Sequence, residues 1–438
     1  MKTTRFLFQT EFPDSGELLL YNTLNGALIA FEKDRYNQIT EILYGGEFNA
    51  LNNEVANVLY EEGFLVDDNL NEIEIVKKRN ALGIADSNRL DVIIMPNMNC
   101  NFSCVYCYET HHKSGMDDVT EERLIAWLQK MIPNYKAVLI SWFGGEPLLS
   151  YPVILRVQEK VQALCKAHNV ILHGHITTNG SLLDITKAKN LLALGVHSYQ
   201  ITLDGPAETH NQMRPLKGGG ASFEAVHENI CALAALEPTP HIKLRVNFDE
   251  RNVARIRELL HTIPVGLRPS MTLVCEKIFT ESFGVVQETM ERTAEIEDIQ
   301  AYAVEIGFRP DHEAMEPNRF TFCYADRANQ FTINYNGDIF KCTVQKFDTK
   351  HRLARLGDNG NIEWEAGRLE RWMALPAFEE KCEACVFMPL CMGGCRKLRA
   401  IFGSVGDDCL APFKGFDRKV QHYYASTIQE SVNQIQIS

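Results

Sequence analysis

The stretch Cys100-Asn-Phe-Ser-Cys104-Val-Tyr-Cys107 places three cysteines on eight residues, directly after the apolar run 90–95. That run is rich in β-branched residues and ends at a Pro–Asn break, which predicts a buried strand followed by a loop. Three thiolates on one short loop can bind three irons of a [4Fe-4S] cube and leave the fourth iron open. Zinc and buried free thiols are the alternatives, but structural zinc normally takes four ligands in paired knuckles. The nearest further ligands, His111 and His112, stand in the wrong register for a knuckle.

The spacing of these cysteines resembles the CxxxCxΦC motif of the radical S-adenosylmethionine (SAM) enzymes, in which Φ is an aromatic residue. Tyr106 fills that place. The resemblance implies that Cys100, Cys104 and Cys107 bind the radical-forming [4Fe-4S] cluster as the catalytic centre. It also implies that SAM chelates the open iron, with Tyr106 beside it.

The composition of the chain restricts its class. It has 438 residues, 45% of them hydrophobic and 23% charged, which is ordinary for a globular protein of two or three domains. The net charge of −13 argues against nucleic acid or an anionic membrane surface as the main partner. We find neither a signal peptide nor a 20-residue apolar span, so we expect a cytoplasmic protein. In a reducing cytosol the 13 cysteines indicate metal binding or catalysis, not disulfides.

Residues 88–310 alternate strand and helix patterns and predict an α/β unit. Six strand–helix repeats with short loops imply a parallel sheet, and right-handed crossovers would wind it into a partial (β/α)6 TIM-like barrel. The predicted strands are 90–95, 137–142, 170–176, 198–203, 242–248 and 271–275. In such sheets ligands bind at the carboxyl ends of the strands, which is where the cysteine loop lies.

Further motifs follow the other predicted strands at the same rim. The second strand ends in Gly144-Gly145-Glu146-Pro147, which resembles the GGEP motif of the family and implies that this turn holds the methionyl ammonium of SAM. Glycines there let the backbone approach a ligand closely. The remaining cofactor-binding residues implied by the resemblance lie at the ends of the third to fifth strands; they are Thr178, Asn179, Thr202, Asp204 and Asn247. The stretch after Asp204 continues to His210, Asn211 and Arg214, much as in peptide-modifying members.

Residues 1–80 predict a separate winged-helix-like α+β unit of three short strands and two helices, with a turn at Asn25-Gly26. The order resembles the PqqD-like domain that recognises leader peptides of ribosomally made precursors; an ordinary capping domain is the alternative. This unit has 14 acidic and seven basic residues, a composition that disfavours binding to DNA phosphates. An exposed sheet edge could instead accept an extended leader as an added strand.

Residues 311–438 repeat the cysteine theme with another spacing. Seven cysteines match the pattern of the SPASM domain, Cx9–15Gx4C…Cx2Cx5Cx3C…C. The resemblance implies two auxiliary [4Fe-4S] clusters. Cys382, Cys385, Cys391 and Cys409 would bind one of them, and Cys323, Cys342 and Cys395 the other. Cys275 stays open as a fourth ligand of the latter, while Cys165 and Cys231 fall on helical patterns and are expected in the core.

The combined resemblance is to radical SAM/SPASM peptide maturases, and it implies an oxidoreductase that abstracts hydrogen from a precursor peptide and installs a thioether, C–C or C–O cross-link. A flavodoxin or ferredoxin would supply electrons. Sulfatase-maturing enzymes share the pattern but carry aspartate after the cysteine that matches Cys342, where this chain has Thr343. Oxidation of a protein side chain, as in that group, is the alternative activity. A non-catalytic electron-transfer or leader-binding protein is the alternative from another class.

Overall fold

The computed structural model describes residues 1–45, 54–278, 293–311, 315, 320–406, 409 and 413–437. Within these ranges the strands are β1 (Lys2–Thr3), β2 (Leu7–Glu11), β3 (Leu18–Asn22), β4 (Leu28–Phe31), β5 (Leu65–Val66), β6 (Arg89–Met95), β7 (Ala137–Trp142), β8 (Ile171–Thr178), β9 (Val196–Thr202), β10 (His241–Phe248), β11 (Met271–Lys277), β12 (Gln330–Asn334), β13 (Asp338–Phe340), β14 (Ala354–Leu356) and β15 (Ile362–Trp364).

The α-helices in the same ranges connect and cover these strands. They are α1 (Tyr36–Tyr44), α2 (Glu54–Glu61), α3 (Glu72–Ala85), α4 (Asp118–Met131), α5 (Tyr151–His168), α6 (Ile185–Ala193), α7 (Ala207–Met213), α8 (Phe223–Ala234), α9 (Ile256–Thr262), α10 (Thr293–Glu305), α11 (Arg368–Met373), α12 (Met388–Cys391), α13 (Arg396–Phe402) and α14 (Phe416–Ile437). None of them is both long and apolar enough to cross a lipid bilayer. The helix expected from residue 288 begins, within the described residues, at Thr293.

Strands β6 to β11 form the predicted parallel sheet in sequence order, with helices between consecutive strands. The side chains of each strand alternate between the two faces of the sheet. Along β10, the side chains of Ile242, Leu244 and Val246 are fully buried in the main core with the surrounding helices. The intervening Lys243 and Arg245 take the opposite face, as the two-residue period of a strand requires. The predicted α/β barrel is confirmed.

The sheet continues into the C-terminal third of the chain. Strand β12 pairs in parallel with β6, with Asn334 opposite Met95, and β13, β14 and β15 follow as antiparallel neighbours. One ten-stranded sheet therefore spans the regions predicted as 88–310 and 311–438. The boundary itself stays a prediction.

The N-terminal region has the expected three-stranded antiparallel sheet, β2-β3-β4, followed by α1 and α2. One face packs on its own helices, through Leu20, Ile39 and Leu59. The other packs against the C-terminal region, where Leu19 and Tyr21 contact Phe416 of α14. The Tyr21 hydroxyl also donates to the carbonyl of Met315, at 2.6 Å.

Candidate functional site

The cysteine loop leaves the carboxyl end of β6 and is fixed by backbone hydrogen bonds to the segment after α7. The N–H groups of Ser103 and Val105 donate to the carbonyls of Pro215 (2.9 Å) and Met213 (3.0 Å), and that of Lys217 donates to Asn101 (2.7 Å). These bonds join the loop that follows β6 to the segment that follows β9 and α7. Backbone hydrogen bonds therefore fix the path of the loop.

The three thiols of this loop are gathered at one place. Cys100 is buried, Cys104 is half-buried and Cys107 is exposed. Burial raises the pKa of Cys100 to about 12, and Glu146 and the other two thiols add to the effect. The three sulfurs therefore lie within electrostatic range of each other, as a shared cluster requires.

His111 lies closer to these thiols than its position in the sequence suggested, with its Nε2 atom 3.2 Å from Cys107 Sγ. Its other ring nitrogen lies 3.2 Å from the carbonyl oxygen of Met98. Among the described residues, no three His, Cys, Asp or Glu side chains surround a single ion. A [4Fe-4S] cube places each ligand on a different iron, so the thiols need not converge on one point.

Gly144 and Gly145 allow the turn after β7 to pack directly on the cysteine loop. A Cβ atom on Gly144 would lie 2.5 Å from the carbonyl oxygen of Asn97, and one on Gly145 would lie 2.3 Å from that of Asn99. Gly144 also has a φ of +113°, which disfavours any side chain. In this structure the close approach that we expected toward a ligand is made to the backbone of the cysteine loop.

Glu146 is fully buried and its carboxylate already accepts three hydrogen bonds. Oε1 accepts from the Leu148 N–H (2.9 Å) and the Thr178 hydroxyl (2.8 Å), and Oε2 accepts from the Asn179 N–H (2.7 Å). Burial raises its pKa although these bonds oppose the shift. Glu146 therefore ties the end of β7 to the end of β8, a role that the sequence did not indicate. Its predicted contact with an α-ammonium stays a prediction.

A buried polar network brings Tyr106 together with Asp204 after β9, Arg214 after α7 and Asn247 on β10. Its hydroxyl donates to the Asp204 carboxylate and accepts from Arg214 Nη1 (2.6 Å) and Asn247 Nδ2 (3.0 Å). The N–H of Asn247 donates to Asp204 at 2.7 Å. Burial raises the pKa of Asp204, against the opposing effect of Arg214. The predicted residues Tyr106, Asp204 and Asn247 thus share one site, and Thr202 lies buried two residues before Asp204.

Arg214 is the residue of this network for which the sequence analysis predicted no separate role. It is buried, and its Nε has no hydrogen-bond partner among the described residues. A buried guanidinium nitrogen without an acceptor is costly, so it indicates a place for an anionic group. The signal available in the sequence was an arginine ten residues after Asp204.

Tyr108 and Glu109 follow directly after Cys107. Tyr108 is half exposed, at 51%. Burial raises the pKa of Glu109 to about 7, and its Oε1 is buried without a hydrogen-bond partner among the described residues. Both residues thus lie beside Cys107 at the end of the cysteine loop.

The electrostatic neighbours of the C-terminal thiols fall into two sets. Burial raises the pKa of Cys391 to about 11, with further effects from Cys382, Cys385 and Cys409. In the other group, burial raises the pKa of Cys323 to about 12, with smaller effects from Asp326, Cys395 and Cys342. These sets agree with the ligand sets that the sequence resemblance implied, and the binding of two clusters by them stays a prediction.

The three other cysteines lie apart from these groups. The pKa of Cys275 on β11 is raised by burial and then by Glu276, Glu297 and Asp204. Its electrostatic neighbours are therefore carboxylates, which gives no support to Cys275 as a fourth ligand beside Cys323. Cys165 is in the main core, and burial also raises the pKa of Cys231 on α8.

Residues 94–263 match the model of the radical SAM superfamily. This part of the chain, about two fifths of its length, is therefore similar to the radical SAM superfamily. The matched range starts within β6 and ends just after α9, so it includes the cysteine loop, the glycine turn and the network around Asp204.

Two curated relatives illustrate the range of similar proteins. The radical SAM cyclopropyl synthase TigE of Paramaledivibacter caminithermalis is 24% identical over 254 residues, 49% of this chain and 52% of TigE. This chain thus spans about half the length of that relative. The cysteine-type anaerobic sulfatase-maturating enzyme of Clostridium perfringens (strain ATCC 13124) is 23% identical over 357 residues, 71% of this chain and 90% of the relative.

A solved structure of native anSMEcpe with bound AdoMet and Cp18Cys peptide has the same fold. It aligns with a TM-score of 0.58 at 20% identity, covering 79% of this chain and 99% of the other. Since the identity is low, the likeness shows the fold alone.

Proposed function

We propose that this chain modifies a ribosomally made precursor peptide and installs an oxidative cross-link. The observation that carries the proposal is the convergence of the cysteine loop, the glycine turn and the Asp204 network at the carboxyl ends of β6 to β10. Each of the three comes from a different strand, and backbone hydrogen bonds and buried side chains fix them together.

Cys100, Cys104 and Cys107 would hold the radical cluster. When bound, it supplies the electron that cleaves SAM reductively, and the resulting 5′-deoxyadenosyl radical abstracts a hydrogen atom from the substrate. The task of the protein is orientation and exclusion of water. Cys100 is a buried residue of the cysteine loop. The buried guanidinium of Arg214 would bind an anionic group, and the carboxylate of SAM is such a group.

The other residues that are predicted to contact SAM already make hydrogen bonds within the protein. Asn247 uses its Nδ2 on Tyr106 and accepts from Arg245 at its Oδ1 (2.8 Å), so a ribose would bind by exchanging one of these bonds. Thr178 and Asn179 are bonded to Glu146. We therefore assign the ammonium of SAM to the turn 144–146 and treat Glu146 as the side chain that holds that turn.

The C-terminal cysteine groups would bind two auxiliary clusters, with Cys382, Cys385, Cys391 and Cys409 on one and Cys323, Cys342 and Cys395 on the other. Their chemical task is to accept the electron left on the oxidised substrate, and flavodoxin or ferredoxin is the proposed donor to the radical cluster. The thiols of each group influence each other's pKa, which supports this assignment.

The N-terminal region would bind the leader of the precursor. Among the described residues β4 pairs with β3 alone, so its other edge is open to an added strand. The opposite edge strand, β2, is covered by α14, where Gln421 donates to the carbonyl of Glu11 at 2.7 Å. Among the described residues, no strand therefore occupies the edge of β4 to which a leader would add.

Side-chain oxidation of the sulfatase-maturing type is the second candidate, favoured by the relative that this chain matches over 90% of its length. Against it, Thr343 carries a hydroxyl bonded to the Tyr324 hydroxyl (2.7 Å) where that group has a carboxylate. The two activities would differ in substrate and in product mass.

The deciding experiment combines two measurements. Anaerobically reconstituted protein with SAM and a reductant should form 5′-deoxyadenosine, and the Cys104→Ala variant should not. Peptides encoded beside the gene are then co-expressed, and loss of about two hydrogens per site is expected. Fragmentation identifies the bond, whereas an aldehyde on a cysteine or serine of a sulfatase peptide would favour the second candidate. No 5′-deoxyadenosine from fully loaded protein would refute both.

A further inference from the structure

Two residues that carry no predicted role form a buried ion pair between the cysteine segments of the C-terminal region. Arg396 Nε donates to Asp326 Oδ1 at 2.8 Å, and their side chains are 2% and 3% exposed. The partners are 70 residues apart in sequence. Each is next to a thiol of the same group, since Arg396 directly follows Cys395 and Asp326 stands three residues after Cys323.

On one side of the pair, Asp326 holds Cys323 by both its side chain and its backbone. Its Oδ2 accepts from the Cys323 N–H at 3.1 Å. Its own N–H donates to the Cys323 carbonyl at 3.2 Å, at the start of a short 3-10 helix. The backbone at Cys323 is therefore fixed to Asp326 by two hydrogen bonds.

On the other side, Arg396 fixes the start of α13, whose N-cap residue is Cys395. Its Nη1 donates to the carbonyl of Trp372 at 3.0 Å, and more weakly to those of Met373 and Leu375. The indole N–H of Trp372 in turn donates to the carbonyl of Ala325 at 3.0 Å, next to Asp326. The pair and the α11 segment thus close a ring of bonds around Cys323 and Cys395.

A buried ion pair is an expensive way to stabilise a fold, because removing two charges from water costs about as much as their attraction returns. What such a pair supplies well is a specific geometry, and removing one partner leaves an uncompensated buried charge. Here the geometry that it fixes is the relation between two segments, each of which carries a thiol of one group.

We infer that the Asp326–Arg396 pair is the positioning element of the auxiliary cluster bound by Cys323, Cys342 and Cys395. The inference rests on the proposed function of those three cysteines. Residues beside metal ligands commonly orient them and tune the metal, and N–H groups directed at cluster sulfurs change its reduction potential. Loss of the pair should therefore affect this cluster and leave the other two cysteine groups intact.

The test measures iron content and electron paramagnetic resonance (EPR) spectra of anaerobically reconstituted full-length protein. The reference variant is Cys323→Ala/Cys395→Ala, which should bind about eight irons per chain instead of about twelve. We expect Asp326→Ala and Arg396→Ala to match the reference in iron and to lack the same EPR component after reduction. The matched control is Arg352→Gln, which removes another arginine–aspartate pair of this region, Arg352 with Asp338 at 3.1 Å, and should keep all of its iron.

A second set of variants covers the case in which single substitutions fail to fold. Asp326→Asn/Arg396→Gln removes both charges and keeps hydrogen-bonding groups at both places, so it should bind more iron than either single variant. In that double variant the reduction potential of the auxiliary cluster should differ from that of the wild type, a change that general support of the fold would not cause.

The outcomes separate two failures. If the cysteine reference loses about four irons while folded Asp326→Ala keeps them, and the potential in Asp326→Asn/Arg396→Gln is unchanged, the pair is structural only and the inference is refuted. If the cysteine reference itself keeps all of its iron, the cluster assignment in the proposed function is wrong, and the inference falls with it.

Discussion

Replacement of Gly145 by alanine is the sharpest perturbation that the site offers, because it adds one methyl group where the glycine turn meets the cysteine loop. The added Cβ would lie 2.3 Å from the Asn99 carbonyl oxygen and 2.7 Å from its carbon. Both atoms belong to the backbone, so no side-chain rotation relieves the contact. Asn99 immediately precedes Cys100.

The size of the effect follows from this distance. Non-bonded carbon and oxygen atoms approach to ~3.3 Å, so one of the two backbones must retreat by ~1 Å. Overpacking of this kind costs about 1–3 kcal/mol in the free energy of unfolding. A misplacement of ~1 Å at a reacting centre costs ~100-fold in rate. We therefore expect 5′-deoxyadenosine formation to fall by ~100-fold while the apoprotein remains folded.

The assay compares Gly145→Ala with Gly115→Ala, whose added Cβ would meet nothing within 4 Å. Gly115 lies on the same stretch between β6 and α4, so it controls for general effects on this segment. The free energy of unfolding of each apoprotein is measured in urea. Separate samples of each variant are reconstituted and assayed with SAM under anaerobic conditions. If Gly145→Ala stays within twofold of Gly115→Ala in rate, the glycine turn does not position the cysteine loop.

Three further outcomes are expected. Burial lowers the pKa of His175 to about 4. The stability that its neutral ring contributes is therefore fully present above pH 6.5 and is lost as the pH falls toward 4. Over that range the free energy of unfolding should fall by at most ~1.4 kcal/mol per pH unit. Urea titrations of apo His175→Asn should show a smaller slope over that range, and an unchanged slope would contradict the assignment. Arg214→Gln should weaken SAM binding by ~10–100-fold, since it removes a buried charge-assisted donor; calorimetry showing wild-type affinity would count against this role. Cys391→Ala should bind about four irons fewer per chain and Cys165→Ala, in the core, should bind them all; equal iron in both would disprove the assignment of Cys391.

Much of the barrel could be predicted because its strands alternate between two environments. In β7, Val138, Ile140 and Trp142 are fully buried and the residues between them are not, and a pattern of period two is visible in the letters alone. The site residues could be ordered because each follows a strand, and the carboxyl ends of parallel strands share one edge. Local pattern and topology were sufficient for both.

The bonds inside the site could not be predicted in the same way. From the sequence, Glu146 is equally suited to bind a ligand or to cap a backbone turn. Only the positions of Leu148 and Asn179 show that its carboxylate already accepts hydrogen bonds from their N–H groups. Arg214 reaches Tyr106 across 108 residues of sequence. Such partners depend on how loops from different strands meet, which hydropathy and spacing do not encode.

The pairing of β12 with β6 gives the two cysteine regions a fixed relation that no motif contained. The cysteine loop follows Met95, which pairs with Asn334 at the end of β12. The chain then turns at Gly337 and β13 runs back, pairing Phe340 with Thr332, so Cys342 lies toward the end of the sheet where β12 begins. The four residue-to-residue steps of β6 from Asp91 to Met95 span ~13 Å.

Cys342 and the cysteine loop therefore lie toward opposite ends of β6 and β12 in one continuous sheet. Under the proposed function, a peptide substrate would present one carbon to the radical and remain within reach of an electron acceptor. Because the separation is set by strand pairing, it stays the same when loops adapt to a substrate. In the proposed function, this fixed separation is what an oxidation in two steps requires, since the hydrogen atom and the electron would leave the same substrate toward different groups.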